Sequence, residues 1–321
     1  MSLADLGWDD EWSAAFAALH DVPEDVVPAR VAAVHRGRVR VLGDDLDELV
    51  PVAGALPEPP VVGDWVACGG GAVRAVLPRR TELAREGGAL VANVDLAILT
   101  SSLNQDLNVR RLERFVALAR GGGIEPLVVL TKGDLSADPA AETERVRERL
   151  GVDVVALSAH DGWGLPALRA ALLPRRTAVL MGMSGVGKST LVNLLLGEER
   201  QRVLEVREHD DRGRHATTHR ELFVLDDGAL LVDTPGVRSP GLADAEGVDE
   251  AFADIAELAR GCRFNDCRHT DEPGCAVRGV VPDDRLESWR KLLREGRDAA
   301  TRKALSRRGT LDYREAARWK R

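Results

Sequence analysis

A single nine-residue segment places the strongest constraint on the fold of this chain. The segment reads GMSGVGKST and fits the pattern G-x-x-x-x-G-K-[ST]; it lies between the apolar run TAVLM and the helix-like run TLVNLLL. Such a loop needs this strand-to-helix setting, because inward-turned backbone N–H groups and the positive end of the helix together hold a phosphate. The segment therefore predicts a nucleotide phosphate site in an α/β domain.

Each residue of this loop is a candidate nucleotide contact. The nine residues are Gly182, Met183, Ser184, Gly185, Val186, Gly187, Lys188, Ser189 and Thr190. Lys188 is expected to reach the β and γ phosphate oxygens, and the Ser189 hydroxyl to bind Mg²⁺. Lysine is rare, since only five of the 44 basic residues are Lys, so its presence here is informative.

The sequence around this loop divides into three regions. Short β-type runs broken by Gly, Pro and Asp fill residues 26–84. Strand patterns then alternate with helix patterns until about residue 245, and helix patterns follow. These patterns predict a small barrel of OB type, a parallel sheet covered by helices, and a helical region. The predicted fold class is therefore multidomain, with an acidic N-terminal helix plus all-β OB-type barrel (1–84), a central α/β P-loop domain (85–245) and a C-terminal helical zinc-binding domain (246–321).

Two further segments predict the metal side of the phosphate site. GALLVDTPG is an apolar strand that ends in Asp233, with Gly236 three residues later. An acid there can hold Mg²⁺, and a glycine N–H can meet the γ phosphate. The preceding polar stretch RGRHATTHREL offers Thr217 and Thr218 as the second Mg²⁺ hydroxyl.

Two short motifs upstream of the loop predict recognition of a guanine base. Thr131-Lys132-Gly133-Asp134 follows the strand LVVL, and Ser158-Ala159 follows VDVVAL. The first resembles the N-K-x-D motif of GTPases, in which the Asp accepts two hydrogen bonds from guanine that adenine cannot donate. The second resembles the element whose backbone N–H meets the guanine O6. Together they favour GTP over ATP.

In chain order, the two base motifs precede the phosphate loop, the threonine stretch and DTPG. With a preceding barrel and a following Cys/His segment, this order resembles the RsgA (YjeQ) family of circularly permuted GTPases. The resemblance spans residues from about 26 to 305 and includes PVVGDWV, LVANVD, GRHATTHREL and DTPGVR. It implies an Mg²⁺-dependent GTPase that acts in late maturation of the small ribosomal subunit, binds that subunit and its rRNA in the GTP state, is stimulated by it, and leaves with GDP after hydrolysis.

The sequence departs from the family pattern at two positions. Thr131 stands where the family usually has Asn, and we expect it to lose one contact to the base and one to the phosphate loop. Ala216 stands in the threonine stretch, which leaves open whether Thr217 or Thr218 binds the metal. Val237, which follows Gly236, cannot orient a water, and the resemblance points to His215 as the catalytic residue, with His219 as the second candidate.

A compact group of ligand-type residues predicts a metal site in the C-terminal region. Cys262, Cys267, His269 and Cys275 follow the pattern C-x4-C-x-H-x5-C. Three thiolates and one imidazole suit a tetrahedral zinc ion with no open position, so the site would be structural. The family carries the same pattern.

Charge is distributed unevenly along the chain, whose formal net charge is -8. Residues 1–27 hold seven acids and no Lys or Arg, whereas residues 285–321 hold thirteen basic residues and five acids, a net +8. The basic tail favours a phosphate-rich partner, the alternative being a solvated face. No apolar run is long enough for a membrane span, and the acidic start is unlike a signal peptide. We therefore expect a cytoplasmic monomer that does not bind membranes.

Two other function classes fit parts of this sequence. A P-loop ATPase or kinase with a nucleic-acid-binding barrel would share the phosphate loop, but Asp134 argues against it. A non-catalytic RNA-binding protein with a structural nucleotide would share the phosphate loop and the base motifs. Absence of GTP hydrolysis in the presence of small ribosomal subunits would favour this class.

Overall fold

The computed structural model describes residues 1–20, 22–54, 56–85, 88–104, 107–197, 220–233 and 246–318. Within these residues the chain divides into two compact units. The first holds residues 1–83, 89–107 and 123–239, and the second holds residues 84–88, 108–122 and 240–321. No helix among the described residues has the length and apolar character needed to cross a bilayer.

The N-terminal segment of the first unit packs through aromatic rings. A 3-10 turn at Ala4–Leu6 precedes helix α1 (Asp10–Ala17), whose first turn is capped by the carboxylate of Asp9. The ring centroids of Trp8 and Trp12 lie 4.8 Å and 6.1 Å from that of Trp65. The guanidinium of Arg80 stacks 4.0 Å from the Trp12 ring and pairs with Asp9, so the acidic helix is fixed by both apolar and ionic contacts.

Five short strands follow and share one apolar core. They are β1 (Val27–His35), β2 (Arg38–Gly43), β3 (Leu46–Pro51), β4 (Trp65–Gly69) and β5 (Ala72–Val76). β1 pairs antiparallel with both β2 and β4, β2 pairs with β3, and β4 pairs with β5. Val52, just after β3, forms a parallel bridge with Val73 of β5. The contacts therefore run in the cyclic order β1-β2-β3-β5-β4.

The rest of the first unit is a mixed α/β sheet. Its strands are β8 (Leu96–Ser102), β9 (Glu125–Thr131), β10 (Asp153–Ala156), β11 (Thr177–Gly182), β12 (Glu221–Val224) and β13 (Leu230–Asp233). They lie in the order β10-β9-β8-β11-β13-β12, all parallel except β12, which also bridges β1. Strands β6 (Glu82–Arg85) and β7 (Gly88–Ala92) precede them in the chain and form a separate two-stranded sheet.

Three helices belong to this sheet by sequence: α3 (Pro139–Leu150), α4 (Leu165–Ala171) and α5 (Lys188–Leu196). Leu168 of α4 and Leu191 and Leu195 of α5 join the sheet residues Ile98 and Leu180 in one buried cluster. The predicted α/β character of this region is confirmed.

The second unit is helical and contains α2 (Val109–Gly121), α6 (Glu246–Ala251), α7 (Ala253–Ala259) and α8 (Asp283–Arg318). A buried arginine joins three of them, because Arg285 pairs with Glu113 of α2 at 3.0 Å and with Asp254 of α7 at 2.7 Å. A Cβ at Gly247 would lie 2.0 Å from the carbonyl oxygen of Ala117, so α6 and α2 touch backbone to backbone. Helix α2 falls between β8 and β9 in sequence but packs with the C-terminal helices.

Candidate functional site

The motifs predicted from sequence follow strands of one sheet. Thr131 ends β9, Ser158 lies two residues beyond β10, Gly182 ends β11 and Asp233 ends β13. Because these strands are parallel, their carboxyl ends lie at the same edge of the sheet, where α/β proteins bind ligands. The structure therefore gathers both base motifs, the phosphate loop and Asp233 at one edge.

The phosphate loop owes its shape to glycine. Gly182 has a φ of 155°, and a Cβ there would lie 2.5 Å from the carbonyl oxygen of Thr100 on the neighbouring strand β8. Gly187 has a φ of 94° and precedes α5 without any side chain capping that helix. The first N–H groups of α5 therefore have no side-chain acceptor from the capping residue, as an anion site at a helix start requires.

The Lys188 ammonium lies over this loop. Its Nζ donates hydrogen bonds to the carbonyl oxygens of Gly182 at 2.8 Å and Met183 at 2.6 Å. An ammonium has three N–H donors and can exchange these carbonyls for phosphate oxygens. Ser189 and Thr190 are exposed in the first turn of α5, as a hydroxyl ligand for Mg²⁺ requires.

Thr131 connects the base motif to the phosphate loop. Its hydroxyl donates to the carbonyl oxygen of Val186 at 2.5 Å and lies 3.2 Å from that of Ser101. The expectation that Thr in place of Asn loses the contact to the phosphate loop is therefore wrong. A hydroxyl at the end of β9 supplies the same kind of donor as an amide and reaches the loop.

The two base motifs meet through hydrogen bonds. The Gly133 N–H donates to the carbonyl oxygen of Leu157 at 3.0 Å, and the Ser158 hydroxyl donates to Asp134 Oδ1 at 2.8 Å. Ser158 is fully buried and Asp134 is exposed. One carboxylate oxygen of Asp134 is thus oriented by a buried serine, while the residue stays accessible to a base. Lys132 lies two residues before Asp134, and Ala159 follows Ser158 directly.

Sequence analysis did not select Asp161, which completes the second base motif. Its carboxylate lies 3.1 Å from the Ser158 hydroxyl, and its backbone N–H donates to the same hydroxyl at 3.2 Å. The hydrogen bond with the neighbouring His160 is the main cause that lowers the pKa of Asp161. The spacing S-x-x-D is the signal that could have identified it, since such side chains commonly bond the backbone of their own turn.

Several predicted residues lie outside the described part of the chain. They are His215, Thr217, Thr218, His219 and Gly236, together with Ala216 and Val237. On the metal side, the structure therefore describes Ser189 and Asp233.

The four predicted metal ligands come together in the second unit. Their ligand atoms all lie within 4.8 Å of one another. His269 Nδ1 is 3.5 Å from Cys262 Sγ and 3.4 Å from Cys275 Sγ, and the two sulfurs are 4.0 Å apart. Tetrahedral zinc, with bonds of about 2.3 Å to sulfur and 2.0 Å to nitrogen, has ligand-to-ligand distances of about 3.5 to 3.8 Å. The residues present fit that ion.

The surroundings of the sulfurs favour a thiolate at Cys275 and oppose one at Cys267. Backbone N–H groups of Ala276 and Arg278 donate to Cys262 and Cys275 at 3.3 Å and 3.4 Å. Burial opposes ionisation of Cys275, but the Arg278 N–H and the His269 ring outweigh it and lower its pKa to about 6. Burial and the neighbouring thiols raise the pKa of Cys267 to about 11. A divalent cation reverses that last effect, because it replaces the thiol proton.

Comparison with known proteins agrees with this geometry. Residues 76–243 match the family described as RsgA GTPase. The protein of Streptomyces coelicolor named small ribosomal subunit biogenesis GTPase RsgA is 45% identical, covering 97% of this chain and 93% of its own. This chain belongs to the RsgA GTPase family.

Two solved structures of circularly permuted GTPases or their relatives are similar to this chain in fold. The crystal structure of YjeQ from Thermotoga maritima aligns with a TM-score of 0.61 at 26% identity and covers 84% of this chain and 98% of its own. The structure titled YloQ, a circularly permuted GTPase, aligns at 0.62 and 26%, covering 89% and 99%. The resemblance inferred from the motif order is thus confirmed, including the permutation.

Thr131 provides a direct test of this RsgA site. We expect Thr131→Val to raise the Kd for guanine nucleotides about tenfold, because the buried carbonyl of Val186 loses its donor, a loss of about 1 to 3 kcal/mol. Nucleotide titration by fluorescence or calorimetry measures the effect. The matched control is Thr143→Val, which removes the hydroxyl bond to Pro139 inside α3. Equal affinities of the parent and Thr131→Val would contradict the assigned role.

Proposed function

We propose that this protein hydrolyses GTP during maturation of the small ribosomal subunit, binding the subunit with GTP and leaving it with GDP. The observation that carries the proposal is the Asp134 carboxylate, which Ser158 orients at the sheet edge that also carries the phosphate loop. The names of relatives such as the S. coelicolor protein support the small ribosomal subunit as the partner. The basic tail, at net +8 over residues 285–321, supports a phosphate-rich partner.

The chain's own groups account for the steps of binding. Asp134 accepts the two donors of guanine, and the N–H groups of the phosphate loop and the start of α5 receive the phosphates. Lys188 adds positive charge at the β and γ oxygens. When bound, Mg²⁺ would supply further positive charge at these oxygens. The residues that would hold it are Ser189, Asp233 and either Thr217 or Thr218. His215 orients the attacking water, a role inferred from the family resemblance.

The nucleotide assignment is tested at Asp134. We expect Asp134→Asn to exchange preference for GTP for preference for xanthosine triphosphate, because the new amide donates to the 2-oxo group of xanthine. Competition binding with GTP, xanthosine triphosphate and ATP measures this exchange. The control is Asp153→Asn, an exposed acid on β10. Unchanged base preference in Asp134→Asn would make the guanine assignment wrong, and tighter binding of ATP than GTP by the parent would favour an ATPase or kinase.

Hydrolysis is measured on the same parent protein, with and without small ribosomal subunits. We expect turnover to rise when subunits are added. No turnover in either condition would favour the alternative of a non-catalytic RNA-binding protein with structural nucleotide.

For the N-terminal strands we propose an OB-type barrel that contacts rRNA. The cyclic order β1-β2-β3-β5-β4, closed by the parallel bridge from Val52, just after β3, to β5, supports the barrel. Arginines of this region are not equivalent: Arg40, Arg79 and Arg80 pair with carboxylates. Arg36 and Arg38, at the β1–β2 turn, are exposed and have no carboxylate partner among the described residues. These two arginines are available to phosphates.

Salt dependence tests this contact. We expect Arg36→Ala and Arg38→Ala each to lower the slope of log affinity for the small subunit against log salt by about 0.7 to 0.9, the contribution of one phosphate contact. Arg145→Ala, an exposed arginine on α3, is the control for loss of one charge. Slopes equal to that of the parent would exclude a phosphate contact at the turn and move the RNA interface to the tail.

We also propose that Cys262, Cys267, His269 and Cys275 hold one structural zinc ion. Four ligands leave no open position, so the ion stabilises the fold of this segment and takes no part in hydrolysis. None of the four cysteines of the described chain forms a disulfide, which suits a reducing compartment and supports a cytoplasmic location, and we expect a monomer.

The zinc proposal predicts a difference between two cysteines. We expect the parent and Cys68→Ala to carry about one zinc ion per chain, and Cys262→Ala to carry far less, because three ligands hold zinc much more weakly than four. Cys68 is the matched control, since it packs in the barrel core and burial raises its pKa to about 11. Elemental analysis after dialysis gives the ratio. Equal zinc content in Cys262→Ala and the parent would refute the site.

A further inference from the structure

Trp163 is a large side chain that the proposed function does not use. Its indole is 39% exposed, although aromatic side chains of this size are usually more buried. It lies in the turn that connects β10 to α4, five residues beyond Ser158. An exposed tryptophan in a fixed position beside a binding site calls for a physical explanation.

The indole packs against the backbone of the first base motif. A Cβ placed on Gly133 would lie 2.4 Å from Trp163 Cζ2 and 2.6 Å from Cη2. Real Cβ atoms do not approach other atoms so closely, so the six-membered ring occupies the space that a side chain at position 133 would need. Gly133 and Trp163 are therefore a complementary pair, one without a side chain and the other filling its place.

The backbone fixes Trp163 in this position. The Ser158 N–H donates to the carbonyl oxygen of Trp163 at 3.0 Å, and the Gly162 N–H donates to that of Ser158 at 2.9 Å. Gly164 has a φ of 79°, and a Cβ there would lie 2.2 Å from the carbonyl oxygen of Ala156. The turn thus doubles back against the end of β10, which holds the indole over Gly133.

We propose that Trp163 is a positioning residue for guanine binding, which holds the loop carrying Asp134 against the loop carrying Ser158. This inference rests on the proposed function. Two hydrogen bonds already join these loops, from Gly133 to Leu157 and from Ser158 to Asp134. The indole adds apolar contact area at the residue between Lys132 and Asp134. A loop held in its binding position before the ligand arrives costs less ordering entropy on binding, so affinity rises.

Because the pair is complementary, a double-mutant cycle tests it. We expect Trp163→Ala to raise the Kd for GDP and GTP about tenfold, the scale of one well-placed contact. We expect Gly133→Ala to do the same in the parent, because the new methyl displaces the ring. In the Trp163→Ala background the same change should alter Kd by less than about twofold, since the clash has gone. Gly133 does not need a positive φ, and without the ring the nearest atom to the new methyl group is the Leu157 carbonyl oxygen at 3.3 Å.

Steady-state kinetics distinguishes a role of Trp163 in guanine binding from a general loss of folded protein. We expect Trp163→Ala to raise KM much more than it lowers kcat, because the ring packs on the base motif and not on the phosphate loop. The control is Leu173→Ala, which removes an exposed apolar side chain, 48% accessible, from the same unit. Thermal midpoints of all variants are measured alongside.

The outcomes distinguish this inference from the proposed function. Equal cost of Gly133→Ala in both backgrounds, or an unchanged Kd in Trp163→Ala, would overturn the role of Trp163 while the parent still prefers guanine. A fall in kcat without a change in KM would overturn it as well. A parent that binds ATP as well as GTP would instead refute the proposed function.

Discussion

Parallel pairing of β8 with β9 and β11 is the constraint on which the nucleotide site depends. The register aligns Ser102 of β8 with Thr131 of β9, and Gly182 of β11 with Thr100 of β8, so the base motif and the phosphate loop leave the sheet at nearly the same level. Only one strand separates them. At that distance a short side chain at the end of β9 can reach a carbonyl of the phosphate loop, and the Thr131 hydroxyl does so.

This short connection links the two halves of the proposed site. In the site that we propose, Asp134 recognises the base three residues beyond Thr131, and Lys188 contacts the phosphates two residues beyond Val186. A hydroxyl bond between Thr131 and Val186 links the two loops, so ordering of one loop by its part of the ligand favours order in the other. Contacts from Ser158 and Trp163 stabilise the loop that carries Asp134, and helix α5 stabilises the phosphate loop.

Local motifs predicted the site better than they predicted the packing. The phosphate loop, the two base motifs and the four metal ligands were recognisable because each is a short run or a tight spacing. The relation between Gly133 and Trp163 was not, since it joins residues thirty positions apart through the absence of a side chain. Helix α2 was also misleading, because its sequence position suggests a sheet-covering helix. Its buried Glu113 pairs with Arg285 of α8 instead, and an acid in the middle of an apolar helix face was the available signal.

Helix α2 belongs to the helical unit, although it follows a strand of the sheet in the chain. Strand β11 carries the phosphate loop and lies between β8 and β13. The chain leaves β8 to enter α2, and it leaves β13 at Asp233 towards α6, so both strands that flank the phosphate strand lead into the helical unit. In that unit α2 and α6 touch at Gly247, and Arg285 ties α2 to α8. The two helices that follow these strands in the chain are therefore in contact with each other, and α2 is paired with the basic helix α8.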